Sequence, residues 1–110
     1  LNNCYYSTAY TTVNASDDLT AFVDAYTKEY GEAPNMFSAL TYDATNLGLQ
    51  ALEKAGKTGA DLQKAIADAK FEGLTGSFTF DKTHSPKKSV LVVNLVDGVQ
   101  TEAVSVDPNK

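Results

Sequence analysis

The stretch Ser89-Val90-Leu91-Val92-Val93-Asn94-Leu95-Val96-Asp97-Gly98-Val99 decides the fold. Its nearly continuous apolar, β-branched run predicts a strand over 89–96, buried on both faces. Asp97-Gly98 then predicts a two-residue hairpin turn, because both positions tolerate the positive φ that such a turn needs. Residues 99–106 alternate and return antiparallel. A strand of this kind needs neighbours. Cys4 to Tyr10, rich in Tyr and Thr, predicts one over 4–10, and Ser77-Phe78-Thr79-Phe80-Asp81, with period two, another over 77–81. Those two strands are the expected neighbours of the long one.

Between the first strand and the rest lie three helical patterns. Asn14-Ala15-Ser16-Asp17-Asp18 is a helix start, with Ser16 as cap and two Asp at the positive end of the helix. Leu19, Phe22, Val23, Tyr26 and Tyr30 follow at helical spacing, expected as core, and Gly31 and Pro34 close a helix over 17–30. A second helix, starting at Met36 or Ser38 and stopping at Gly56, carries the stripe Leu40, Ala44, Leu47, Ala51 and Leu52 over 37–55. Gly48 on it predicts a close approach of another element. Thr58 with Asp61 resembles a capping box ahead of a third helix over 59–69, which carries Leu62, Ala65, Ile66 and Ala69. Lys82 to Lys88 is a polar loop. The order of strand, three helices, strand and hairpin makes an α/β chain and leaves several apolar faces without a cover.

Composition limits what the chain does. Its 110 residues allow one domain at most, and the 43% hydrophobic fraction is that of a globular chain. Fourteen acidic residues against nine Lys give a net charge of −5, and no Arg is present. Arg is the usual fork for phosphate and guanine edges, so nucleic acid is not an expected partner. A single Cys and a single His allow neither an intrachain disulfide nor a Cys-based or two-His metal site. No apolar run approaches the ~20 residues of a membrane-spanning helix. The chain opens on Leu1-Asn2-Asn3-Cys4 without an initiator Met and ends on the polar Val106-Asp107-Pro108-Asn109-Lys110. It therefore reads as the later piece of a longer protein, and a lone piece is expected to expose apolar surface or associate with itself.

No catalytic constellation is visible. His84 sits in a Lys-rich loop without a carboxylate to orient it. Cys4 lies in a strand without a basic neighbour and is expected as a buried, inert thiol. Asp81 to Lys88 lacks the ligand spacing of a calcium loop, and Gly73-Leu74-Thr75-Gly76 lacks the Lys and following helix of a phosphate loop. A hydrolase would need His84 or Cys4 in a cleft with partners, and the sequence offers none. Binding remains. After Pro34, the helix start Met36-Phe37-Ser38-Ala39-Leu40-Thr41-Tyr42 places free N–H groups and short side chains where they could line a cleft.

Phe22-Val23-Asp24-Ala25-Tyr26-Thr27-Lys28-Glu29-Tyr30-Gly31, then Pro34 and Ala39-Leu40-Thr41-Tyr42-Asp43-Ala44, resembles the C-terminal third of the branched-chain amino acid binding proteins. These are the type I periplasmic receptors of ABC importers. The resemblance continues through Ala51 to Gly56, Phe71 to Gly76, Phe80-Asp81 and the closing hairpin, and Tyr5-Tyr6-Ser7 matches the strand before the first helix.

It implies a periplasmic-binding-protein-like fold in which two Rossmann-like lobes, joined by three crossing strands, close on a ligand. The last crossing falls near Phe80 to Lys88, with the helices in one lobe and the final hairpin in the other. It implies a non-catalytic receptor without cofactor or metal, whose partners are an amino acid ligand and ABC permease subunits. Its place is outside the cytoplasmic membrane, in the periplasm or at the outer face, and such receptors are often lipid-tethered. Ligand-sensing receptor domains for amides or other small solutes share the fold and are the alternative. Phe37, Ser38 and Ala39, with Tyr42 one turn on and Tyr6 near the crossing strand, are the expected ligand-side residues. The groups that hold the ligand's charges lie upstream in the family, and the aromatic wall residue expected near Ala39 is small here.

Overall fold

The computed structural model describes residues 1–108, so Asn109 and Lys110 of the polar ending lie outside it. The elements in chain order are β1 (Cys4–Thr8), α1 (Asp17–Tyr30), α2 (Met36–Ala55), α3 (Ala60–Ala67), β2 (Phe71–Gly73), β3 (Gly76–Phe80), β4 (Pro86–Lys88), β5 (Val90–Val96) and β6 (Val99–Val106).

The strands form two antiparallel sheets of three, ordered β1-β5-β6 and β2-β3-β4. The long apolar strand is central, as its sequence requires, but its neighbours differ in part from expectation. β1 takes one side, and the other goes to its own hairpin partner β6. The strand at Phe78 instead builds the second sheet with β2 and β4, two short strands that three-residue lengths hide from any periodicity.

Burial of β5 on both faces is not observed. Val93 is fully buried, Val92 and Asn94 on the other face are only half-buried, and Val90 and Val96 at the strand ends are exposed. The hairpin turns as expected, with positive φ at both Asp97 and Gly98. The amino terminus clasps it: Asp97 N–H donates to Asn2 Oδ1 at 2.7 Å and Gly98 N–H to the Leu1 carbonyl at 3.1 Å.

Ser16 caps α1, its Oγ accepting from Leu19 N–H, and Gly31 and Gly56 end α1 and α2 in the left-handed conformation. α2 starts from a capping box absent from the sequence reading, in which Asn35 accepts from Ser38 N–H while Ser38 Oγ accepts from Asn35 N–H. At α3 the expected Thr58–Asp61 box does not form. Gly59 is the cap and makes no side-chain bond, while Asp61 pairs with the exposed Lys57.

The buried face of α2 is Ala39, Asp43 and Ala51; of the expected stripe Ala51 is buried, Leu40 and Leu47 are half-buried, and Ala44 and Leu52 are exposed. Gly48 has open space where a Cβ would stand, so no close approach explains it. On α1 only Leu19 is buried. Of the rest of the expected stripe, Phe22, Val23 and Tyr26 are half-buried and Tyr30 is exposed, the successive rings tilted against one another at 5.9 and 4.6 Å.

Asp43 ties the helices to the second sheet. Its buried carboxylate accepts from Leu74 N–H at 2.8 Å, Thr75 N–H at 2.9 Å and the Thr75 hydroxyl at 2.6 Å. Those donors belong to the tight turn between β2 and β3. Gly73 at its entry has no room for a side chain, since a Cβ there would lie 2.5 Å from the Asp43 carboxyl and the Phe71 ring.

Four substitutions test this packing. Val93→Ala should cost about 2 kcal/mol, read as a lower urea midpoint, while Val104→Ala on the exposed side of the sheet stays within about 0.5 kcal/mol. Asp43→Asn, which turns an amide N–H toward donors that need an acceptor, should cost about 2–3 kcal/mol. Gly73→Ala should destabilise by a comparable amount through overpacking, about 1–3 kcal/mol.

Candidate functional site

The chain passes between two bodies. One is the β1-β5-β6 sheet; the other is the three helices with the β2-β3-β4 sheet. The crossings lie between β1 and α1, and between β4 and β5, where Ser89 alone separates the strands. The amino terminus of α2 meets this seam, since the Thr8 hydroxyl at the end of β1 lies 3.5 Å from Met36 Sδ. A concavity of about 420 Å³ opens there, lined among others by Ser7, Thr8, Met36, Lys88 and Val90. A larger groove of about 800 Å³ runs between α1, α2 and the β2–β3 turn, past Phe22, Tyr42, Asp43, Asn46, Gln50 and Phe71.

The five residues expected on the ligand side do not form one surface. Ala39 is fully buried on the core face of α2. Small side chains there let the helix sit close, so Ala39 has no surface with which to touch a ligand. Ser38 is engaged in the capping box, with its hydroxyl also 3.4 Å from the Tyr26 hydroxyl. Tyr42 is half exposed and stacks on Phe22 at 4.9 Å in the larger groove. Tyr6 lies in β1, where its hydroxyl accepts from Gln100 Nε2. Phe37, next to Met36 in the first turn of α2, is 71% exposed, a large apolar ring without a cover. Helical spacing sets Phe37 on the opposite side of α2 from Ala39, whereas Ala39 and Tyr42, three residues apart, share a side on which Ala39 lies under the helix and Tyr42 at its edge. Met36 and Thr8, which meet at the seam, were not singled out in the sequence, and a contact between distant segments has no local pattern to reveal it.

The ionisable groups near the seam have clear partners. Lys88 Nζ donates to the Thr75 hydroxyl and stands 4.9 Å from the centre of the Phe78 ring. Partial burial pushes the Lys88 ammonium below the usual lysine range, and the nearby Asp43 carboxylate opposes that shift. Asp81, in the turn before β4, accepts from the Thr83 hydroxyl, Ser85 N–H and Thr83 N–H, and these bonds hold its carboxyl below the ordinary value. His84 at the tip of that turn is exposed, with positive φ. Cys4, expected buried, is half-buried, and its thiol faces the Asn2 carbonyl at 3.5 Å. Among the described residues no group of three His, Cys, Asp or Glu side chains could hold a metal ion, and no helix is long and apolar enough to cross a membrane. What the seam offers is apolar surface, hydroxyls and backbone, which suits non-covalent binding.

Comparison with known proteins agrees with this geometry. The periplasmic binding protein family profile matches residues 1–100. A search of curated proteins finds no match. Among solved structures, the branched-chain amino acid transporter substrate-binding protein LivJ of Streptococcus pneumoniae, in complex with isoleucine, is 34% identical over 97% of this chain and 31% of its own, with a TM-score of 0.80. The leucine-binding protein LivK of Thermotoga maritima is 28% identical over 98% of this chain and 32% of its own, with a TM-score of 0.80. A solute-binding protein from R. palustris in complex with benzoate, 22% identical over 96% of this chain and 29% of its own, shares the fold with a TM-score of 0.74. The chain thus spans about a third of the length of these structures. With its crossing strands, its helices and its closing hairpin, the chain belongs to the periplasmic binding protein family.

Proposed function

We propose that the chain is the C-terminal third of the solute receptor of an ABC importer, and that the complete receptor holds a branched-chain or related amino acid between its two lobes. The observation that carries this reading is the 34% identity, across nearly the whole chain, to a protein whose structure contains isoleucine. The receptor works outside the cytoplasmic membrane, in the periplasm or at the outer face, delivers its solute to permease subunits, and performs no catalysis. The helices and the β2-β3-β4 sheet belong to one lobe and the β1-β5-β6 sheet to the other, so the seam between them borders the cleft.

Within that reading Phe37 is the residue of this chain that meets the ligand's side chain. Its exposure in the first turn of α2, the helix end that meets β1 through Met36, supports the assignment, because an uncovered ring there has apolar surface to offer. Tyr42 and Tyr6 flank it at greater remove, Ser38 acts through the helix cap, and Ala39 supports the helix from behind. Apolar contact sets preference between solutes in steps of about 1–3 kcal/mol per methylene.

Calorimetry on the complete receptor tests both parts. Isoleucine, leucine or valine should bind and benzoate should not. Phe37→Ala should weaken amino acid binding about tenfold or more while circular dichroism stays unchanged. A folded receptor that binds none of the three amino acids overturns the function. Unchanged affinity and ranking in a folded Phe37→Ala receptor removes Phe37 from the site.

A further inference from the structure

We propose that Asp43, Thr75 and Lys88 form a latch that fixes strand β4 to the helical body and makes Ser89 the pivot between that body and the β1-β5-β6 sheet. The inference needs nothing from the identity of a ligand. It starts from the hydroxyl of Thr75, which has one proton. That proton goes to Asp43 Oδ2 at 2.6 Å, and a lone pair of the same oxygen takes the Lys88 ammonium. The hydroxyl therefore bridges a buried carboxylate and a half-buried cation, and each charge strengthens the bond of the other. The Phe78 ring under the ammonium, 4.9 Å away, adds a cation–π contact from the strand next to β4.

β4 is otherwise weakly held. It is a three-residue edge strand that begins with Pro86, whose nitrogen has no proton to donate. Its last residue is Lys88, so the latch grips the strand at its end. Two residues later Val90 is paired with Val106 in the other sheet. Motion between the bodies at this crossing is thereby confined to Ser89. With the latch open, β4 frays, and the pivot retreats to the turn at Asp81 to Ser85, which gives the bodies a longer and looser tether. Lys87, whose side chain is exposed in the same strand, takes no part.

Spin labels on the complete receptor test this. Thr45→Cys on the exposed side of α2 and Val104→Cys on the exposed side of β6, in a Cys4→Ser background, report the distance between the bodies. Lys88→Met and Thr75→Val should turn a narrow distance distribution into a broad one, and Thr75→Ser should keep it narrow. Ser89→Gly should broaden it with the latch intact. Hydrogen exchange should show lost protection at Leu74 and Thr75 in Thr75→Val, with β5 and β6 still protected, which separates release of the latch from unfolding. A distribution no broader in Lys88→Met and Thr75→Val than in Lys87→Met overturns the latch. A Ser89→Gly chain as narrow as its parent overturns the pivot.

Discussion

One carboxylate organises the helical half of this chain. Asp43 lies on the buried face of α2 and has no cation in direct contact; it is satisfied by two backbone amides and a hydroxyl of the β2–β3 turn. A charge in that position is tolerable only because every donor of the turn points at it. The dependence is mutual. The amides of Leu74 and Thr75 sit in a tight turn, and without Asp43 they would be buried donors lacking an acceptor. Gly73 completes the arrangement, since any side chain there would strike the carboxyl. The Asp43 stripe, the Gly73-Leu74-Thr75-Gly76 turn and Lys88 are therefore one structural unit, although 45 residues of sequence separate its ends.

Around that unit the packing is thin. The buried apolar set is Leu19, Ala39, Ala51, Ala65, Phe71 and Val93, half of it alanine. The radius of gyration is 15.9 Å, against about 13 Å for a compact chain of this length. The accessible surface is 7655 Å², against about 5,900 Å² for a compact monomer of this mass. The excess is unevenly spread. Tyr5, Val90, Val96, Val99, Val104 and Val106 are all exposed on the β1-β5-β6 sheet, and on that sheet the side-chain oxygen of Asn94 is buried without a hydrogen-bond partner. Phe37 and the stacked rings of α1 add to it on the helical side. The chain spans about a third of its relatives' length, and its bare apolar surface lies on both bodies.

The sequence disclosed what depends on local chemistry and hid what depends on distance. The Ser16 cap, the Gly31 and Gly56 stops and the Asp97-Gly98 turn are each settled within a few residues, and each stands where it was expected. The helices and the main strands follow from periodicity. Errors begin where a second segment decides. Ala44 and Leu52 fit an apolar stripe when α2 stands alone, but they are exposed; the turn after β2 supplies donors, and the charged Asp43 goes inside instead. β2 and β4 are too short to show a period, so β3 was assigned to the wrong sheet. The ligand-side residues were taken as a run along the chain, but a helix distributes neighbours around its axis. Ala39 went to the core, and Phe37 to the surface.

The cap of α2 also limits how that helix could recognise a solute. A helix start has four free amides, which make it a ready seat for an anion. Here Asn35 and Ser38 satisfy two of the four by bonding to each other's backbone, leaving the amides of Met36 and Phe37. Met36 faces β1 through its sulfur contact with Thr8, so the seam already occupies part of that end. No acidic residue stands in the first turn, and Lys88, the cation that lines the same concavity as Met36, is engaged by the Thr75 hydroxyl. What the end of α2 presents most fully is the ring of Phe37. In the proposed receptor its contribution would therefore be shape and apolar contact, and a zwitterion bound there would need its charges held by other groups.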